Sequence, residues 1–232
     1  MPPPQLQVLF RDASLVAVDK PSGLLVHRGW GHDRVCLVDL VRALAGAERV
    51  HPIHRLDRGT SGVVLLSLDA GLARRLQERW QTPRVQKRYL ALVRGRPPEE
   101  GTIDHPLPRR DGGPRVPART SFRRLATVDA EPRTVSLVEA CPQTGRLHQV
   151  RRHLKHISHP VIGDANYGKG PLNREIAARY GLGRLALHAA ALSFPHPVDD
   201  REVAIAAPLP DDLTAPLERL GFDPQVLLRD RR

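Results

Sequence analysis

One carboxylate, Asp57, stands inside the stretch "VHPIHRLDRGTSGVVLLSL" (residues 50–68), between Arg55 and Arg58 and just after His51 and His54. Gly59-Thr60-Ser61-Gly62 follows as a turn, and Val63 to Leu66 is an apolar run of the kind that makes a buried strand. Two readings fit this pattern. An Asp beside two Arg can be a surface ion pair that contributes little. A polar group delivered by a turn to the mouth of a buried strand is also the usual setting of an active-site residue. Chemistry that needs an ionised carboxylate in a closed pocket has to oppose desolvation, which raises a carboxyl pKa, and neighbouring guanidinium groups do that.

A second stretch, "CPQTGRLHQVRRHLKHISHPVIGDANYG" (residues 141–168), is equally rich. Thr144-Gly145 turns the chain into a helix. Leu147, Val150, Leu154 and Ile157 recur at helical spacing and define an apolar face. His148, Arg152 and Lys155 fall on the opposite side. At about 100° per residue, Arg151 lies roughly 80° from the centre of the apolar stripe, a boundary position from which it reaches a cleft edge. His148, His153, His156 and His159 invite a metal reading, but no Asp or Glu is spaced to complete a site and the HExxH pattern is absent. Solvated or phosphate-facing histidines are the plainer interpretation.

The elements that must carry these groups are short. "LQVLF" (6–10) and "SLVAVDK" (14–20) read as strands joined by a turn, and "KPSG" (20–23) as a turn. Residues 35–45 and 71–80 have helical spacing, and 170–189 contains a further helix. Residues 87–95, 134–140, 185–194 and 202–207 read as strands, and 96–119 as a long basic excursion poor in apolar residues. Hairpin-like strands interleaved with a few helices predict an α+β fold, with a mixed, largely antiparallel central sheet flanked by helices.

The 232 residues carry 36 Lys and Arg against 25 Asp and Glu, a formal net charge of +11. Such a balance fits a polyanionic partner, because neutralising phosphates releases counterions. All but Lys20, Lys87, Lys155 and Lys169 of the basic residues are Arg, so a single Arg carries little information by itself. Cys36 and Cys141 are the only cysteines and lack CxxC spacing, which argues for two buried thiols in a reducing compartment and against a disulfide framework or a zinc-thiolate site. No signal-like or membrane-length apolar run occurs, so the reading is a cytoplasmic protein without membrane attachment. No apolar heptad stands out, which favours a monomer with no obligate protein partner.

The motifs together resemble the RluA-type family of RNA pseudouridine synthases. "HRLDRGTSGV" (54–63) is similar to that family's signature, and "VDKPSGLLVH" (18–27), "QKRYLALV" (86–93), "TGRLHQVRRHL" with "HPVIGD" (144–154, 159–164) and "LHAAALSFPHP" (187–197) follow in order. The resemblance spans roughly residues 6–208. It implies a single catalytic domain over 1–232 with the cleft across the sheet, without a separate amino-terminal RNA-binding domain. It also implies isomerisation of uridine to pseudouridine, without cofactor or metal. Asp57 would be the nucleophile, Arg151 its charge partner and Tyr89 the aromatic residue beside the flipped base. Arg55 and Arg58, flanking Asp57, and Arg152 and Lys155, on the exposed helix side, are the candidates for RNA contact. The Arg-rich segment 109–124, including Arg109, Arg110 and Arg115, is a candidate RNA clamp. "VHRGW" (26–30) and the stretches 151–168 and 170–189 are most like the branch of the family that modifies uridine 65 of tRNA; a ribosomal RNA target is the alternative. From other classes, a non-catalytic RNA-binding or tRNA-folding module and a metal-dependent nuclease remain as rivals.

Overall fold

The computed structural model describes residues 6–28, 35–108 and 112–223. Along the chain run β1 (Gln7–Arg11), β2 (Leu15–Lys20), α1 (Leu37–Ala45), β3 (His51–Pro52), β4 (Ser61–Ser67) and α2 (Ala70–Arg79). Then come β5 (Gln86–Arg94), β6 (Glu100–Asp104), β7 (Leu107–Pro108), β8 (Arg115–Val116), β9 (Arg119–Val128) and β10 (Val135–Pro142). The series closes with α3 (Gln149–His156), α4 (Gly170–Tyr180), β11 (Leu187–Pro195), β12 (Glu202–Ala206) and α5 (Asp211–Arg219). The elements are α+β, and the strand pairs β1–β2, β2–β4, β5–β10 and β9–β10 are antiparallel, as the alternating patterns predict. None of the helices among the described residues is long and apolar enough to cross a membrane.

The chain divides into two compact units. Residues 1–86 and 189–208 form the first. Its strands are ordered β1-β2-β4-β11, with β3 on β4 and β12 on β11. Leu15, Ala17, Val63, Leu65, Leu192 and Phe194 meet Ala73, Leu76 and Trp80 of the α2 region in its core. β4 is buried along its whole length, which is why it reads as an unbroken apolar run rather than an alternation. Gly62, at φ +111, lies so close to β11 that a Cβ there would sit 2.2 Å from the Ala189 carbonyl oxygen.

The second unit holds residues 87–188 and 209–232. Its strands are ordered β5-β10-β9-β6, and β7 and β8 form a separate two-stranded hairpin. Leu90, Leu92, Leu137, Leu182, Leu213 and Leu217 are buried here. The basic excursion expected over 96–119 therefore contains β6, the hairpin and the start of β9. These strands escape periodicity arguments because they bury little. Only Ile103 of β6 is buried, and in β9 the buried side chains are Thr120 and Phe122. The segment 109–124 is likewise not a loop throughout. From Arg119 it is strand, with Arg123 paired to Glu139 (3.4 Å). Arg109 and Arg110 lie outside the described residues.

Candidate active site

In the first unit two turns are laced together around Asp57. Lys20, at the end of β2, is fully buried. Its ammonium donates to the carbonyl oxygens of Pro21 (2.9 Å), Leu24 (2.8 Å) and Arg58 (3.3 Å). Gly23 N–H also donates to the Arg58 carbonyl (2.8 Å), Ser22 Oγ to the Gly59 carbonyl (2.9 Å), and Arg58 Nε back to the Gly23 carbonyl (3.0 Å). The Thr60 N–H closes the turn onto the Asp57 carbonyl (3.1 Å). Asp57 is half-buried, while Arg55 and Arg58 are exposed. Arg58 thus has a structural task through its Nε besides its charge. His54 stacks on Trp80 at 4.7 Å and accepts the Leu65 N–H at Nε2 (3.2 Å), so its proton resides on Nδ1. His27 is held below the usual imidazole pKa by burial and by the charge of Arg55.

In the second unit Tyr89 sits half-buried on β5, in register with Ala140 of β10. Lys87, two residues earlier, shares the strand face of Tyr89. It is buried, and desolvation pushes its pKa down to about 8. The neighbouring face carries Arg88, paired with Glu139 at 3.4 Å.

α3 starts later than its apolar spacing predicts. His148 takes the left-handed conformation (φ 54), which ends the preceding turn and leaves Leu147 outside the helix. Buried Gln149 then locks the entry. Its Oε1 accepts from Thr144 Oγ1 (2.7 Å) and the Arg146 N–H (3.0 Å), and its Nε2 donates to the Arg119 carbonyl (2.9 Å). Arg151 is not a boundary residue at a cleft edge but buried, in a two-pronged ion pair with fully buried Asp164. Nε lies 2.7 Å from Oδ2 and Nη2 2.8 Å from Oδ1. Burial raises the Asp164 pKa, but the Arg151 hydrogen bonds and the backbone N–H groups of Tyr167 and Asn166 outweigh it, so the carboxyl stays below its usual range. Arg152 is half-buried rather than exposed. It and Lys155 lie 5.6 and 6.0 Å from the centre of the Tyr167 ring, with Arg151 at 5.1 Å. His148 Nδ1 meets the Tyr167 hydroxyl at 3.0 Å.

The other histidines of this stretch have structural partners. His153 is fully buried and bonded to Thr120 Oγ1 (2.8 Å) and the His105 carbonyl (3.0 Å). His156 stacks on His105 at 3.7 Å, and His159 bonds the Arg94 carbonyl (2.8 Å). His153 is therefore neither solvated nor phosphate-facing. Cys36 and Cys141 are both free thiols, the first buried and the second only partly so.

Tyr89, Arg151, Arg152 and Lys155 belong to the second unit, and Asp57, Arg55 and Arg58 to the first. Periodicity did not reveal Lys20, Gln149, Asp164 or Tyr167. Their signal was membership in the motifs around "KPSG", "RLHQVRR" and "GDANYG".

A family model described as RNA pseudouridylate synthase matches residues 14–156, a span that holds Asp57, Tyr89 and Arg151. The chain belongs to this family, and the protein is an RNA pseudouridine synthase, an isomerase of the RluA type. Among its relatives is the tRNA pseudouridine synthase C of Haemophilus ducreyi, 40% identical over 221 residues, covering 88% of this chain and 90% of that protein. The tRNA pseudouridine synthase C of Pasteurella multocida is 41% identical over 222 residues, with 87% and 90% covered. The solved structure of human RNA pseudouridylate synthase domain containing 4 matches with a TM-score of 0.73 at 30% identity, covering 92% of each chain.

Proposed function

We propose that this enzyme converts uridine 65 of tRNA to pseudouridine, with Asp57 as the nucleophile. The observation that carries the substrate is the similarity, at 40 and 41% identity over about nine-tenths of the chain, to proteins named tRNA pseudouridine synthase C. The bond between ribose C1′ and uracil N1 breaks, the base turns, and C1′ joins C5. N1 gains a proton and C5 loses one, so the reaction balances without oxidant or activated donor. A base stacked in a stem is out of reach, so the uridine flips out at an unstacking cost of a few kcal/mol. Exposed Arg55 and Arg58 hold the opened backbone, and Arg152 and Lys155 on α3 contact phosphates.

Asp57 must remain ionised while the pocket excludes water. Arg151 supplies the positive charge that makes a desolvated carboxylate tolerable. Tyr89 stacks on the flipped uracil, and its hydroxyl assists loss of the C5 proton. Attack at C6, attack at C1′ and abstraction of a ribose proton all require the same ionised Asp57.

The test is a pseudouridine map of unmodified tRNA and ribosomal RNA after incubation with the purified enzyme and with Asp57→Asn. New pseudouridine at tRNA position 65, absent with the variant, is the expected result. Modification only at another position would overturn the substrate, and modification by the Asn variant would overturn the nucleophile.

A further inference from the structure

Within the second unit, the end of β5, the turn before β10 and the turn after α3 enclose an open hollow of about 700 Å³. Three arginines line it, Arg94, Arg96 and Arg133, together with Thr134, Ser158 and His159. Their charge is barely offset. Arg96 lies 3.4 Å from Asp129, but both side chains are largely exposed, and such a pair holds weakly. Arg94 Nη2 donates to the Ser158 carbonyl (3.0 Å), and neither Arg94 nor Arg133 forms an ion pair among the described residues. The backbone beneath is fixed. Gly95 N–H donates to the Thr134 carbonyl (2.7 Å), Arg94 N–H to the Pro160 carbonyl (3.0 Å) and Ser136 Oγ to the Gly95 carbonyl (2.8 Å). His159 is held through Nδ1, which donates to the Arg94 carbonyl (2.8 Å). A second arginine-lined hollow, in the first unit, differs in its balance. There Asp200 accepts two hydrogen bonds from Arg84 (3.1 and 2.8 Å) and lies 3.7 Å from Arg79, so the positive charge is met from within.

We propose that the hollow of Arg94, Arg96 and Arg133 is a phosphate-binding site that anchors the backbone of the RNA substrate away from the uridine being modified. Guanidinium groups and hydroxyls are the side-chain groups that hold RNA phosphates, and the planar guanidinium fork matches two phosphate oxygens. A small-molecule pocket is instead lined mostly by apolar side chains. Here the only apolar side chain in the lining is Pro132. The occupant favoured is RNA because the enzyme's substrate is already a polyanion, and neutralising its phosphates releases counterions. Arg94 lies five residues beyond Tyr89 on β5, about 17 Å at a rise of about 3.4 Å per residue. The site is therefore an outlying anchor: it contributes to RNA affinity and register, and the bond changes at the uridine proceed without it.

The RNA for the test is the one that the wild-type enzyme modifies in the pseudouridine map, tRNA on the reading above. A different RNA in that map changes the substrate, and this site is still judged by its own variants. Affinity for that RNA at several salt concentrations, kcat, KM and thermal melting are measured for the wild type and for Arg96→Gln/Arg133→Gln. The double variant Arg79→Gln/Arg84→Gln removes the same charge from the internally balanced hollow and serves as the control. The expected result for Arg96→Gln/Arg133→Gln is a Kd and KM raised about 10-fold, kcat within about twofold, and a salt slope reduced by about 1–2. The control shifts Kd by less than about twofold. Ethylation of single RNA phosphates then reports the contact directly. At least one phosphate away from the modified uridine should weaken wild-type binding when ethylated and have no effect on the variant. Unchanged affinity and salt slope overturn the proposal. So does an equal loss in the control, which would be a general charge effect, or a fall in kcat at retained affinity. Calorimetric titration with pyrophosphate tests for a free anion. Pyrophosphate binding that the variant loses while its RNA affinity stays that of the wild type overturns RNA as the occupant. If the double variant fails to fold, Arg133→Gln, which alters one exposed side chain, decides by the same readouts.

Discussion

The ammonium of Lys20 reaches the carbonyl oxygen of Arg58, the residue after Asp57, at 3.3 Å while holding Pro21 and Leu24 on its own turn. A buried cation serves here as the knot between two loops 38 residues apart in sequence. Lys20→Met preserves the aliphatic bulk but leaves these carbonyls without their charged donor. A hydrogen bond to a charged group contributes about 1.5–3 kcal/mol, and a carbonyl left unsatisfied adds a penalty. The expected loss is about 2–4 kcal/mol in urea unfolding, with activity reduced further than RNA affinity because the Asp57 turn loosens. Unchanged stability and rate would show that the knot is dispensable.

Gly62 and Gly23 both have positive φ but differ in their surroundings. A Cβ on Gly62 meets the Ala189 backbone at 2.2 Å, whereas one on Gly23 meets nothing within 4 Å. Gly23→Ala should therefore suffer only backbone strain, about 1 kcal/mol. Gly62→Ala must also push β4 away from β11, so a loss of more than about 3 kcal/mol, or failure to fold, is expected. Melting temperatures of the two variants test the ranking, and equal effects would contradict it.

Legibility of the sequence followed burial. β2 and β4 are buried almost throughout, and their apolar runs announced them. β6 and β9 bury Thr120, Phe122 and Ile103 among polar neighbours, so no alternation of apolar residues marked them. Side-chain roles set by distant partners were equally silent. Arg151 was placed correctly on a helix, but its partner Asp164 lies 13 residues away beyond a turn, and the pairing exists only because Gly163 and Asn173 fold that loop back. Local spacing described Lys20 as part of a turn and missed that its side chain ties that turn to another.

His153 offers a test of a buried histidine. Its Nε2 faces the His105 carbonyl, which only accepts, so Nε2 carries the proton and Nδ1 accepts from the Thr120 hydroxyl in the neutral ring. Thr120 Oγ1 in turn accepts from Gln149 Nε2 (3.0 Å), which fixes that direction. Burial lowers the pKa more than the His105 carbonyl raises it, and the positive potential of His105 and His156 lowers it further. The folded ring therefore takes up its proton only below the unfolded value near 6.5. Its contribution to stability is complete above pH 6.5 and is lost as pH falls below that value, where the unfolded chain binds a proton that the folded one refuses. NMR titration of the imidazole should give a midpoint below 6.5; a midpoint at or above 6.5 would refute the assignment.

Lys87 works in the opposite pH range. Desolvation lowers its folded pKa from 10.5 to about 8. Below pH 8 the ammonium is charged in both states, and the folded protein bears a net desolvation cost. Between about 8 and 10.5 the unfolded chain binds more protons, so stability rises with pH through that window. The shift corresponds to a gain of order 3 kcal/mol once both forms are neutral. Lys87→Met should remove most of this pH dependence. Because Lys87 shares the strand face of Tyr89, the same variant should change the pH profile of turnover near pH 8 if the ammonium influences the tyrosine hydroxyl. Urea unfolding at pH 7.5 and 9.5, with turnover measured alongside, separates the two effects. Parallel stability curves for wild type and Lys87→Met would mean that the buried ammonium keeps its ordinary pKa.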